Sequence, residues 1–120
     1  MKIAITTTGN DLNAPLSERF GRTPRFIVYD TDSGSFEVFD NSVNLNAPQG
    51  AGLQTAQNIA RHGVSCVITG HCGPKAFTVL QKAGIKVFLA QGSLTVKEAI
   101  TAFNEGKLQE IQSPDVEGHW

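Results

Sequence analysis

The sequence predicts a single α/β domain in which a mixed sheet is flanked by three helices. Apolar residues alternate with polar ones near the N-terminus, on both sides of the turn segment Thr31-Asp32-Ser33-Gly34, which predicts a hairpin. From about residue 53 onward, segments with helical spacing alternate with short apolar runs, which is typical of parallel strands joined by crossover helices. The length of 120 residues is that of one compact domain.

Composition excludes several classes of function. Ten Lys and Arg against eleven Asp and Glu leave no excess positive charge, which argues against a general nucleic-acid binder. No apolar stretch approaches the roughly 20 residues that cross a bilayer, so no membrane partner is predicted. Two cysteines are too few for a disulfide scaffold, and without a visible export signal they predict free thiols in a reducing cytoplasm.

The first third of the chain predicts three strands. Lys2 to Thr8 is rich in isoleucine and threonine and favours a first strand, followed by a turn-rich loop over residues 9–23. Arg25 to Asp30 and Ser35 to Asp40 are the two strands of the hairpin.

The remainder of the chain predicts helices that alternate with buried strands. A continuous apolar run at 64–69 fits a strand that is covered on both faces, and residues 85–90 predict a fifth strand. Helical spacing marks three helices, with apolar positions Leu53, Ala56, Ile59 and Ala60, then Ala76, Phe77, Leu80 and Ala83, then Leu94, Val96, Ala99, Ile100 and Phe103. Thr95 and Glu98 fit a capping box, while Gly84 and Gly106 end the second and third helices.

This order of elements matches a ribonuclease H-like arrangement. It predicts a five-stranded mixed sheet, with the first three strands antiparallel and strands one, four and five parallel. Loops 9–23, 41–52, 70–75 and 90–94 should then converge at one edge, where open α/β sheets bind ligands. Metal-dependent nuclease chemistry is strongly disfavoured, because strands one and four carry no carboxylate to hold metal ions.

Glycine-rich turns at this edge predict an anion site. Gly50-Ala51-Gly52 and the run from Gly70 to Gly73 precede the first two helices, whose N-termini expose backbone N-H groups. Four cationic side chains are expected around this edge, namely Arg19, Arg22, Arg25 and Lys75. Two acidic side chains, Asp11 and Glu18, oppose their charge. The spacing fits neither a Walker A loop nor a dinucleotide fingerprint, so a nucleotide is disfavoured.

The two cysteines predict different roles. Cys66 lies inside an apolar strand and fits a small core residue. Cys72 lies at the start of a helix beside Lys75, where a thiolate is favoured, so a soft-metal ligand, a redox-sensitive thiol and an ordinary loop residue all remain open.

Several segments together resemble the dinitrogenase iron-molybdenum cofactor biosynthesis family. They are Phe20-Gly21-Arg22-Thr23-Pro24, Gly50-Ala51-Gly52, Val67-Ile68-Thr69-Gly70, Gly73-Pro74-Lys75-Ala76-Phe77 and Ala83-Gly84-Ile85-Lys86-Val87. The resemblance covers residues 1–108 and implies a ribonuclease H-like, cluster-binding domain, followed by a loosely ordered tail at 109–120. It implies binding or carriage of an anionic molybdenum-copper sulfide or iron-molybdenum cofactor-like cluster without turnover, with protein partners in cluster delivery.

The resemblance also implies a set of site residues. Arg22 and Lys75 would neutralise charge, the glycines would allow close approach, and Phe20, Leu45, Ala51 and Phe77 would shield the cluster from water. The cofactor-binding set is Phe20, Arg22, Gly50, Ala51, Gly52, Gly70, His71, Gly73, Lys75 and Phe77. His71-Cys72 departs from the apolar residues common in the family, and Cys72 can ligate copper or iron directly. The alternative function is a redox-switched interaction protein that acts through Cys72.

Overall fold

The computed structural model of the chain describes residues 1–41 and 51–115. Within these ranges the strands are β1 (Lys2–Thr7), β2 (Arg25–Asp30), β3 (Phe36–Asp40), β4 (Cys66–Thr69), β5 (Lys86–Leu89) and β6 (Gln109–Glu110). The helices are α1 (Ala51–Ala60), α2 (Pro74–Lys82) and α3 (Val96–Asn104), with a short 3₁₀ helix at Phe20–Arg22.

The strands form one open mixed sheet in the order β3-β2-β1-β4-β5-β6. β1 pairs antiparallel with β2, and β2 pairs antiparallel with β3. β1, β4 and β5 run parallel, with Ile5 opposite Ile27 on one side and Ile68 on the other. The predicted directions of the first five strands are therefore confirmed.

The predicted count of five strands is wrong, because a sixth strand lies at the β5 edge. Gln109 and Glu110 pair antiparallel with Leu89 and Phe88. The Ile111 N-H then donates to the carbonyl of Val87 at 3.0 Å. Two residues give no apolar alternation, so this backbone pairing left no pattern in the sequence. The segment predicted as a loosely ordered tail is 109–120. The structure describes residues 109–115 of it, and residues 116–120 lie outside the described residues.

Two apolar layers cover the sheet. α1 and α2 pack on one face against Phe26 and Val67, whereas α3 packs on the other against Ile5 and Ile68. All four residues of β4 are buried, as predicted for a strand covered on both faces. Burial of each large aliphatic side chain contributes about 1.5 to 3 kcal/mol, which makes these layers the main stabilising term.

Local signals fix the helix ends. The Thr95 hydroxyl accepts from the N-H of Glu98 at 3.1 Å, and the Glu98 carboxylate accepts from the N-H of Thr95 at 2.9 Å, which confirms the capping box. Pro74 opens α2 at a position where no N-H is needed. Gly84 and Gly106 follow α2 and α3 with φ of 76° and 72°, a conformation that favours glycine.

The loops after the parallel strands meet at one edge of the sheet. The Phe20 N-H donates to the carbonyl of His71 at 3.1 Å, and the Leu16 N-H donates to that of Leu94 at 2.9 Å. The predicted convergence of loops 9–23, 70–75 and 90–94 is therefore confirmed. Most of loop 41–52 lies outside the described residues. None of the helices in the described ranges has the length and apolar character needed to span a bilayer.

Candidate functional site

Buried threonines anchor the loop that crosses this edge. The Thr6 hydroxyl donates to the carbonyl of Ser17 at 2.9 Å and lies 2.9 Å from the hydroxyl of Thr69. The Thr23 hydroxyl donates to the carbonyl of Thr7 at 3.1 Å, and all four of these threonines are fully buried. The threonine-rich end of β1 therefore positions the loop and is not exposed to a ligand.

A buried amide ties α1 to the same edge. Asn41, directly after β3, donates from Nδ2 to the carbonyl of Thr23 and to the hydroxyl of Thr55, both at 2.9 Å. Its own Oδ1 accepts from Nδ2 of Asn58 at 3.1 Å. Asn41 is fully buried, so this network fixes the start of α1 relative to the loop. The sequence did not indicate this network, because asparagine directly after a strand is equally typical of an ordinary turn.

Gly70 is required by the packing of the chain itself. A Cβ atom at this position would lie 2.6 Å from the carbonyl oxygen of Glu18 and 2.7 Å from its Cα. At Gly52, a Cβ atom would lie 3.4 Å from the Cβ of Ala76, which is an ordinary contact. The loop thus occupies the space above Gly70 that the sequence assigned to close approach of a ligand.

The predicted cofactor-binding residues differ widely in exposure. Phe20, Ala51, Gly70 and Phe77 are buried; Arg22, Gly52, His71 and Gly73 are partly exposed; Lys75 is exposed; Gly50 and Leu45 lie outside the described residues. Contacts bring Phe20 to His71 and place Gly52 beside the 3₁₀ helix. Phe77 lines a separate cavity of about 190 Å³ with Gly84 and Ile111, on the side of α2 that faces β5 and β6.

A carboxylate of the chain binds the two residues that lie just before the N-cap of α2. Asp115 accepts a hydrogen bond of 2.6 Å from the N-H of Cys72, and its other oxygen lies 2.8 Å from Nδ1 of His71. The N-H of Asp115 donates in return to the carbonyl of Cys72 at 3.1 Å. The backbone N-H that the sequence predicted to face an external anion therefore binds a side chain 43 residues away.

Cys72 is a core residue in this structure. Its side chain is fully buried in the apolar layer between the sheet and α1 and α2. Burial, followed by the charge of Asp115, raises the pKa of the thiol to about 12. The thiolate expected beside Lys75 is therefore not favoured. This disfavours a redox switch through Cys72.

Cys66 matches its predicted role. It is buried on the α3 side of β4, and burial raises the pKa of its thiol. Both cysteines are free.

A cavity of about 510 Å³ lies on the α3 side of the edge. Its walls are the loop at 15–19, Arg22, and the turn at 92–95 that follows β5. Three apolar and three charged side chains line it, namely Pro15, Leu16 and Leu94, with Glu18, Arg19 and Arg22. Among the members of the predicted cofactor-binding set that the structure describes, only Arg22 lines this cavity. The sequence placed both loops at this edge, but which residues face each other depends on the fold.

Comparison with known proteins identifies the family. The family described as dinitrogenase iron-molybdenum cofactor matches residues 1–106, nearly the whole of the described fold. The chain belongs to the dinitrogenase iron-molybdenum cofactor family. The resemblance found in the sequence is thereby confirmed, and membership associates the chain with binding or biosynthesis of a metal cluster.

Relatives of known structure share the fold over almost their full length. The apo form of the orange protein from Desulfovibrio gigas is 37% identical, with 96% of each chain covered and a TM-score of 0.92. A Thermotoga protein of the DUF35 family is 40% identical, with 98% of each chain covered and a TM-score of 0.84. An uncharacterized protein of Methanocaldococcus jannaschii is 34% identical over 115 residues, which cover 93% of this chain and 92% of that protein.

The donor set of this member of the dinitrogenase iron-molybdenum cofactor family fits a preformed cluster better than a single ion. In residues 1–41 and 51–115, no group of three or more His, Cys, Asp or Glu side chains is placed to hold a metal ion. A metal-sulfur cluster brings its own sulfide ligands, so its host needs cations, N-H donors and an apolar wall. The edge supplies exposed Arg19 and Arg25, partly exposed Arg22, and buried Leu16.

Proposed function

We propose that this chain binds or carries an anionic molybdenum-containing metal-sulfur cluster without catalytic turnover. The cluster is a molybdenum-copper sulfide or resembles the iron-molybdenum cofactor, and it binds at the edge where β1, β4 and β5 end. The observation that carries this proposal is the family match over residues 1–106, which spans nearly the whole α/β domain rather than one motif. Likeness to the orange protein over 96% of the chain supports it.

The chemistry of the edge suits such cargo. Cations cluster there although the chain as a whole has a net charge of -1, so the local field favours an anion. Guanidinium groups are weakly hydrated and pair well with large anions, which favours Arg22 and its neighbours Arg19 and Arg25 over a lysine. Phe20 and Leu16, which belong to the same loop as Arg19 and Arg22, are buried.

The test is reconstitution of the full chain. The metal-free protein is mixed anaerobically with tetrathiomolybdate and cuprous ion, and the product is passed through gel filtration. We expect new charge-transfer absorption and coelution of molybdenum and copper with the protein. Replacing copper by ferrous ion distinguishes the two cluster types. The same mixture with protein kept unfolded in urea is the control, and elution of all molybdenum with the small molecules in the native sample contradicts the proposal.

Direct ligation of a metal by Cys72, which the sequence left open, has a test of its own. Ligation requires a metal to displace the proton of a buried thiol whose pKa is raised to about 12. Cys72→Ser is the test. If Cys72 ligates copper, the variant loses copper relative to molybdenum, whereas electrostatic binding leaves the ratio of the two metals unchanged.

The remaining parts of the proposal concern setting and fold. We place the chain in the cytoplasm, because both cysteines are free. We expect protein partners that load or receive the cluster. The ribonuclease H-like assignment is supported by the order β3-β2-β1-β4-β5 and by the parallel run of β1, β4 and β5.

A further inference from the structure

Two flanks of the edge are compared as positions for the cluster. The α2 flank consists of the start of α2 with His71 and Cys72, and the α3 flank is the cavity of about 510 Å³ between residues 15–22 and 92–95. We infer that the anionic cluster binds in the cavity of the α3 flank and not at the start of α2. This inference rests on the proposed cluster binding.

The backbone N-H that lies just before α2 is already bonded within the chain. The N-H of Cys72 and the ring nitrogen of His71 both bind the carboxylate of Asp115, at 2.6 and 2.8 Å. Pro74, the first residue of α2, has no N-H to offer. The Cys72 side chain is fully buried in the core. An external anion at the N-H of Cys72 must displace the charge-assisted hydrogen bond to Asp115, and it gains no thiolate in return.

The N-terminus of α3 is likewise occupied by backbone and side-chain acceptors. The N-H groups of Val96 and Lys97 donate to the carbonyls of Ala14 and Leu12 at 2.9 and 2.8 Å. The N-H of Glu98 is used by the capping box. Ligand binding in the α3 flank therefore depends on side chains that line the cavity, rather than on the helix end.

The cavity has the position and size of a ligand site. Thr8 follows β1 and the turn at 92–95 follows β5, so the cavity lies outside the carboxyl ends of parallel strands. Its volume of about 510 Å³ falls within the range of roughly 300 to 1,000 Å³ that is usual for small-ligand sites.

The lining of the cavity matches an anion with soft, weakly hydrated sulfide groups. Two guanidinium groups, from Arg19 and Arg22, face one carboxylate, from Glu18, which leaves the lining net positive. Leu16 and Leu94 give it an apolar wall, which strengthens the attraction between a guanidinium and an anion by excluding water.

Short hydrogen bonds hold the walls in place before any ligand arrives. The Leu16 N-H donates to the carbonyl of Leu94, and the Ser17 N-H donates to that of Thr6, both at 2.9 Å. Pro15 also forms a bridge with Thr95. Binding in a preformed cavity avoids the entropic cost of ordering a loop, which favours this flank further.

The test compares charge-removing variants on the two flanks in the tetrathiomolybdate-copper reconstitution. Arg19→Gln and Arg22→Gln are each expected to weaken the apparent affinity for molybdenum about tenfold, because each removes one charge-assisted contact with the anion. Lys82→Gln, which removes one exposed positive charge far from the cavity, is the matched control and should change it less than about twofold. Asp115→Asn should also leave it within about twofold, because in this inference the α2 flank does not bind the cluster.

A second measurement does not depend on any variant. In amide NMR spectra of the labelled wild type, the cluster should shift Ser17, Ser93 and Leu94 and leave Cys72 unchanged. The inference is overturned if the wild type retains molybdenum but Arg19→Gln and Arg22→Gln bind it with full affinity. It is likewise overturned if the wild type retains molybdenum but the shifts are centred on Cys72. The proposed function stands in both cases. Wild type that retains no molybdenum overturns both.

Discussion

Replacing Gly70 with alanine tests whether the loop that crosses the edge is fixed by close packing against β4. Gly70 follows the last residue of β4 and is buried beneath the backbone of Glu18. The added Cβ atom would lie 2.6 Å from the carbonyl oxygen and 3.0 Å from the carbonyl carbon of Glu18. These are backbone atoms, so no side-chain rotation relieves the clash, and the loop itself has to move.

The size of the effect follows from that movement. An increase from 2.6 Å to the 3.4 Å of ordinary contact requires the loop to shift by about 0.8 Å. The hydrogen bond from Phe20 to His71, at 3.1 Å, and that from Ser17 to Thr6, at 2.9 Å, flank the clash on either side and oppose the shift. Overpacking of this kind costs about 1 to 3 kcal/mol, and we expect Gly70→Ala near the upper end, because two hydrogen bonds are stretched as well.

Urea unfolding followed by circular dichroism measures this loss, with the slope m as a check that the unfolded state is unchanged. Gly52→Ala is the matched control. Its new Cβ atom would meet the Cβ of Ala76 in α2 at 3.4 Å, and Gly52 itself lies in α1, where alanine is favoured over glycine. We expect that control to be neutral or slightly stabilised. If Gly70→Ala unfolds at the same urea concentration as the wild type, close packing of the loop on β4 is the wrong explanation for this glycine.

Two further predictions concern buried polar groups. Asn41→Ala should lower the free energy of unfolding by about 2 to 4 kcal/mol, because the carbonyl of Thr23 and other buried partners lose hydrogen bonds. The exposed Asn104→Ala should stay within about 0.5 kcal/mol, and equal urea midpoints for the two variants would contradict the role of the network. In a Cys66→Ala background, iodoacetamide should alkylate Cys72 at pH 8 at least about 1,000-fold more slowly in the native protein than in urea, because burial raises the pKa of that thiol. Comparable rates in the two states would show that Cys72 is accessible and would restore the redox hypothesis.

Local signals account for the parts of the fold that the sequence predicted correctly. The capping box of Thr95 and Glu98 acts over three residues, and glycines 84 and 106 end helices through their own backbone conformation. The apolar run that became β4 needed no knowledge of its neighbours to indicate burial on both faces. The sequence did not predict β6, because a two-residue edge strand is held by backbone hydrogen bonds. Such bonds can form with almost any side chain, so they require no sequence pattern.

The candidate site was predicted less well, because its residues meet over long sequence distances. The sequence brought loops 9–23, 70–75 and 90–94 to one edge by a rule of topology, and that edge is where the structure places them. It did not indicate that Asp115 binds the start of α2, since the tail around it has no period and lies 43 residues away. Nor did it indicate the cavity with Arg19 and Leu94 on facing walls.

By itself the sequence determined the fold class, the strand directions of the first five strands, the helix ends and the family, all of which depend on periodicity, short-range caps or motif segments. Only the tertiary structure decided which groups at the edge are already bonded and which face open space. Cys72 shows the difference. Its position at a helix start favours a thiolate, but the packing of α1 and α2 buries the thiol and Asp115 takes the N-H, because burial and long-range charge depend on the whole fold.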